Sequence, residues 1–128
     1  MNYREIKYLE LLYERLKKNI ANLDLTRLDS IDMKLVQHLA LIETGDVITG
    51  NKPLVPTIED YELKTLDGLY DDIDYKLDHD WNPTLLLGIS QAILIEDLLY
   101  SYLDEVKKDK KKETKESEEL ITAEEQKE

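Results

Sequence analysis

Near the start of the chain, Ile6, Leu9, Tyr13, Leu16, Ile20 and Leu23 recur at alternating steps of three and four residues. That period closes into one stripe on an α-helix and cannot sit on one face of a strand. The spacing therefore predicts a helix over 3–23, with Arg4, Lys7, Glu14, Arg15 and Lys18 on its wet side. The stretch "LDLTRLDS" then offers Asp29 or Ser30 as acceptors for the orphan N–H groups of a second helix. Leu28, Ile31, Leu35, Leu39 and Ile42 lie on one arc of that helix, which is expected to run to about Glu43 and stop at Gly45.

The same rule finds two more helices. Leu63, Leu66, Tyr70, Ile73 and Leu77 mark a third, opening at Thr57 and ending near His79, with Trp81 expected to cap the end of the bundle. "NP" at 82–83 reads as a cap followed by a first-turn proline, starting a fourth helix that reaches Val106. Between helices two and three, "TGDVITGNKPLVPT" predicts either a tiny β-hairpin or an ordered loop, Pro53 confining any strand to an edge. The expected fold is all-α, a four-helix antiparallel bundle.

The chain divides into an acidic helical bundle, 1–106, and a charged tail, 107–128, whose loss of apolar periodicity predicts disorder. Within the tail, Lys110, Lys111 and Lys112 precede an acidic stretch around Leu120 and Ile121, an arm that could fold on contact with a partner. With 17 basic and 29 acidic residues the net charge is −12. The excess sits almost wholly in the bundle, which argues against direct nucleic-acid contact and against anionic membranes, and favours a basic protein partner. Absent cysteine rules out disulfides and thiolate chemistry, and a charged N-terminus with no long apolar run predicts a cytoplasmic protein without a membrane span. The Glu-, Lys- and Ile-rich composition is one that thermophile proteins share.

Candidate functional positions fall into three groups. In "DGLYDDIDYKLDHDW", Asp67, Asp71, Asp74 and Asp78 align on one face of helix three, with Asp60 on the same line. The four span about 16 Å of helix axis and flank the apolar arc without interrupting it. Carboxylates four apart diverge and cannot converge on one ion, so no metal is assigned. A solvated helix face is the bland reading. The functional reading is a partner-binding stripe, able in a special case to imitate a row of DNA phosphates.

Glu96 lies in the middle of the fourth helix's apolar arc, where a lone carboxylate needs a partner, and His38 on helix two or a tyrosine hydroxyl is expected to supply it. Gly88, Ala92, Leu94 and Leu98 form the third group, a close helix contact or a homodimer interface through helix four. No thiol, glycine-rich phosphate loop or histidine–carboxylate motif is present, so neither catalysis nor a cofactor is indicated. The expected function is that of a non-enzymatic accessory or regulatory subunit for a basic partner, such as a component of nucleic-acid machinery. The alternative is a magnesium-dependent all-α nucleotide hydrolase using carboxylates of helices three and four.

Overall fold

A computed structural model describes the backbone of residues 3–127 and the side chains of residues 3–108. Four helices carry the fold: α1 (Tyr3–Ala21), α2 (Ser30–Thr49), α3 (Asp60–His79) and α4 (Ile89–Lys127). Two short strands, β1 (Thr26–Leu28) and β2 (Leu85–Leu87), pair antiparallel, with Thr26 opposite Leu87, Arg27 opposite Leu86 and Leu28 opposite Leu85. The all-α class stands. No described helix is long and apolar enough to cross a membrane.

The apolar stripes close on one core. Leu9, Leu12 and Leu16 of α1, Met33, Val36 and Leu39 of α2, Leu66, Leu69 and Ile73 of α3, and Ile95, Leu98 and Leu99 of α4 are all buried in it. Thr26, Leu28 and Leu87 seal its ribbon end, while Arg27 and Leu86 point to solvent, as strand alternation requires. The buried Thr26 hydroxyl accepts from Asn19 Nδ2 at 3.0 Å. On the neighbouring face, Glu10 meets Lys107 and Tyr13 meets Tyr100, so α1 and α4 run in opposite directions.

Boundaries differ from the sequence expectation in five places, one of them the far end of α4, which runs to Lys127 rather than Val106. Leu23 is not helical: α1 ends at Ala21, and Leu23 turns the chain at φ 58°. Gly45 does not stop α2, which runs on to Thr49; a helical glycine costs only about 1 kcal/mol. Gly50, at φ 78°, ends it instead, donating its N–H to Val47 O at 3.3 Å. Residues 50–59 form an ordered loop, and the small sheet lies elsewhere, between the helix connections at 26–28 and 85–87. Finally, α4 starts at Ile89 rather than near Pro83, and α3 starts at Asp60, where Glu62 accepts from the capping Glu59 N–H at 3.1 Å.

The core residues reveal an internal repeat that the sequence reading did not find. Ile6, Leu9, Leu12, Tyr13, Leu16 and Ile20 of α1 recur at a constant offset as Leu63, Leu66, Leu69, Tyr70, Ile73 and Leu77 of α3. At a slightly larger offset, Thr26, Leu28, Met33, Val36, Leu39 and Ala40 recur as Leu85, Leu87, Ala92, Ile95, Leu98 and Leu99. Each half is thus an α–β–α unit. Arg27 and Leu86, equivalent in the repeat, also face each other at the centre of the strand pair. An approximate two-fold axis passes between them, and it matches the packing: α1 lies on α4 as α3 lies on α2.

Candidate functional site

All five stripe residues, Asp60, Asp67, Asp71, Asp74 and Asp78, are exposed on α3, outside the arc of Leu66, Leu69 and Ile73 that packs inward. Among the described residues no ion pair reaches any of them. The nearest, Lys76 to Asp80 at 3.8 Å, lies beyond the row. Tyr75 and His79, one turn apart, stack at a 4.1 Å centroid distance on the adjoining face. Trp81, just past the helix, does not cap the bundle: it is 99 % exposed, because the chain leaves α3 outward before returning to β2.

The repeat supplies an internal control for this face. The positions in α1 equivalent to Asp67, Asp71, Asp74 and Asp78 hold Glu10, Glu14, Lys17 and Ala21. There, charge is balanced: Lys107 of α4 approaches Glu10 at 4.0 Å, and Lys17 lies 5.3 Å over the Tyr13 ring. A mixed-charge groove of about 330 Å³ runs between these helices, lined by Lys7, Glu10, Leu11, Tyr100, Asp104 and Lys107. At the counterpart of Lys107, α2 carries the exposed Ile48, and at that of Tyr100 the exposed Leu41. The first two positions are acidic in both halves, but the set sums to −1 in α1, with cations at hand, and holds four carboxylates without an ion pair in α3.

The expected pairing of Glu96 with His38 is not found. His38 is exposed on α2, and among the described residues no hydrogen bond joins the two. The wheel position that suggested a reach across the bundle instead turns His38 outward, beside the inward-facing Leu39. Glu96 is half-buried; burial pushes its carboxyl up, Asp97 adds to this, and Lys17 of α1 draws it back. Its counterpart in the first half is Gln37, whose amide donates to Tyr70 O at 3.3 Å. Burial raises Asp97 as well, with Glu62 of α3 contributing. Among the described residues no group of three or more metal-ligating side chains could hold an ion.

Gly88 is not a close-contact glycine inside a helix. It precedes α4, its N–H is accepted by Gln91 Oε1 at 3.0 Å, and the nearest atom to an added Cβ would be that same oxygen at 3.8 Å. Ala92, Leu94 and Leu98 are buried by the chain's own helices, so their coverage needs no second subunit. The tail residues Lys110, Lys111, Lys112, Leu120 and Ile121 lie outside the described side chains.

Two buried carboxylates escaped the sequence reading. Asp32, in the first turn of α2, completes a reciprocal cap: its own N–H donates to Asp29 Oδ1 at 2.8 Å, and its Oδ2 accepts from Asp29 N at 3.2 Å. The same oxygen accepts from Arg15 Nη2 at 2.6 Å, fastening α1 to α2. The "DSID" spacing was the available signal. Glu43 is 0 % exposed, and its two oxygens accept from Leu54 N at 2.6 Å and Val55 N at 2.9 Å. Burial pushes its carboxyl up, the two backbone N–H groups oppose this, and Asp46 and Glu105 add to the rise. Nothing local marks Glu43, because its partners are backbone groups of a loop more than ten residues on.

Comparison with known proteins gives no family match, no match to a characterised protein and no match to a solved structure.

Proposed function

We propose that this chain is a non-enzymatic accessory or regulatory protein that binds a basic protein partner through Asp60, Asp67, Asp71, Asp74 and Asp78. The observation that carries the reading is the asymmetry between the two halves. A helix equivalent in packing bears Glu10, Glu14, Lys17 and Ala21 at the corresponding sites of the last four, so packing does not demand the aspartates. Their like-charge neighbours cost the helix about 0.2–0.5 kcal/mol per pair. The row is exposed, unpaired by any cation among the described residues, and carried on a helix anchored in the core, which presents it as a fixed charged edge. Such an edge complements a basic groove and steers association in a salt-dependent manner. Nucleic-acid machinery is the partner class with the most suitable grooves, and an inhibitor that imitates DNA is the special case.

The test is capture of basic proteins from host lysate by the wild type and by a variant with Asp67, Asp71, Asp74 and Asp78 all changed to Asn. The wild type should retain a basic partner at low salt and lose it as salt rises, and the variant should not retain it. Because like-charge pairs are removed, the variant should be more stable by roughly 0.5–1 kcal/mol. Equal capture by both proteins would dismiss the stripe as a binding surface.

A further inference from the structure

The distribution of contacts between the two halves has a consequence of its own. Every substantial helix–helix contact, α1 on α4, α2 on α3 and α2 on α4, joins one half to the other, as does the β1–β2 pair. Within a half, only small contacts of β1 with α1 and α2 are of note. Neither α–β–α unit buries its own apolar faces. Each is completed by the opposite unit, and only residues 50–59 determine that the opposite unit belongs to the same chain.

That connection is held in its closed path by few groups. Glu43 fixes it through the Leu54 and Val55 N–H groups, Leu54 is buried, and Val55 and Ile58 are half-buried. The remainder, including Asn51, Lys52, Pro56 and Thr57, is exposed. Pro53 and Pro56 bias Lys52 and Val55, the residues before them, toward extended backbone. Fully extended, ten such residues reach about 33 Å.

We propose that a second copy of this chain is a binding partner, through exchange of halves, with residues 50–59 as the hinge and Glu43 as the latch that favours the closed monomer. In the exchanged dimer, α1–β1–α2 of one chain packs on α3–β2–α4 of the other, so the α1–α4, α2–α3, α2–α4 and β1–β2 contacts are remade between chains. Only the closed turn at 50–59 is lost, and with it the Glu43 hydrogen bonds. This exchange needs no new interface, which makes it a low-cost route to a two-fold dimer. It stands independently of the acidic stripe.

Two single-cysteine chains test it, since the protein has no cysteine of its own. Arg27→Cys and Leu86→Cys place thiols at exposed positions directly opposite each other across the strand pair, one in each half. The two full-length proteins are mixed, annealed at high concentration just below the melting temperature, and oxidised. Exchange predicts the mixed 27–86 disulfide in clear excess over either like-with-like product, rising with protein concentration. Random collision of surface thiols would give only the statistical twofold ratio of mixed to either like-with-like product, and a yield no higher than that would overturn the proposal. Placing Glu43→Ala in both chains should raise the mixed product at least tenfold, because it removes hydrogen bonds that only the closed form makes. An unchanged yield would overturn the latch. Should Glu43→Ala fail to fold, Glu43→Gln, which keeps one acceptor oxygen, should give an intermediate rise.

Discussion

Glu43→Ala should destabilise the folded monomer by about 2–4 kcal/mol, most of it through the loop and little through the core. The carboxylate accepts two backbone hydrogen bonds, at 2.6 Å from Leu54 N and 2.9 Å from Val55 N. Leu54 is buried, so water cannot replace the lost acceptor, and an orphaned N–H there costs about 1–3 kcal/mol. Val55 is half-buried and can recruit water, which holds its share nearer to about 1 kcal/mol. The void left by the side chain adds about 1 kcal/mol. Against these stands the relief of no longer burying an ionised group, which is real because burial holds the Glu43 carboxyl above its ordinary value. The assay is urea unfolding followed by helical circular dichroism. With a slope of about 1–3 kcal/mol per molar urea, the midpoint should fall by about 1–2 M at unchanged slope. In parallel, the Leu54 amide should lose its protection from hydrogen exchange while the amides of α1 keep theirs. A midpoint shift below about 0.3 M, with Leu54 still protected, would refute the reasoning and show that apolar burial alone holds the loop.

Three further outcomes follow from the same structure. Burial raises the carboxyls of Glu43, Glu96 and Asp97 above their unfolded values, so the native state binds more protons than the unfolded chain between those values and the raised ones. These groups should therefore add stability as pH is lowered from neutral through their raised values and lose it as pH is raised again, a trend measurable by thermal melts and flattened in Glu43→Gln. Leu23, exposed at φ 58°, occupies backbone space that costs a non-glycine residue roughly 1 kcal/mol; Leu23→Gly should raise the urea midpoint, whereas Gly50→Ala, at φ 78°, should lower it. Arg15→Ala should cost about 1–2 kcal/mol, because it leaves the Asp32 carboxylate, largely buried, without its cation. A cycle with Asp32→Ala should show the two losses to be non-additive.

What could be read from the chain followed its periods. Four stripes at helical spacing placed four helices, since burial of one face is what a soluble helix gains from packing. The aspartate row was legible for the same reason: its residues flank the Leu66–Leu69–Ile73 arc, and the structure finds them exposed there. The strands were illegible because a period of two needs more than three residues to show. "TLLLG" is also continuous with the apolar start of α4, so it merged into that helix. Glu96 drew attention by interrupting an apolar arc, yet it lies at a seam near Lys17. Glu43 is the better-buried acid and sat where a helix end was expected, a place where a charged residue excites no question.

The internal repeat was hidden for a different reason, and the reason bears on function. Some equivalent core positions are identical, as Leu9 with Leu66, Leu12 with Leu69, Tyr13 with Tyr70 and Leu39 with Leu98, but others share only apolar character, as Leu16 with Ile73, Val36 with Ile95 and Ala40 with Leu99 show. Few surface positions agree: Lys7 recurs as Lys64, but Arg15 corresponds to Asp72, Lys17 to Asp74 and Lys107 to Ile48. Scattered identities are weak evidence of a repeat, while comparing burial returns one across both helices and the strand of each half. Packing constrains volume and polarity at the buried positions and leaves the exposed ones free. The two faces have been filled differently: Glu10 and Glu14 match Asp67 and Asp71 in charge, but Lys17 and Ala21 stand where the other half has Asp74 and Asp78. A fold that repeats its interior but not its exterior does not itself account for the exterior. At Asp74 and Asp78 the acidic face departs from its counterpart in charge, and a partner reading that face would distinguish the halves there.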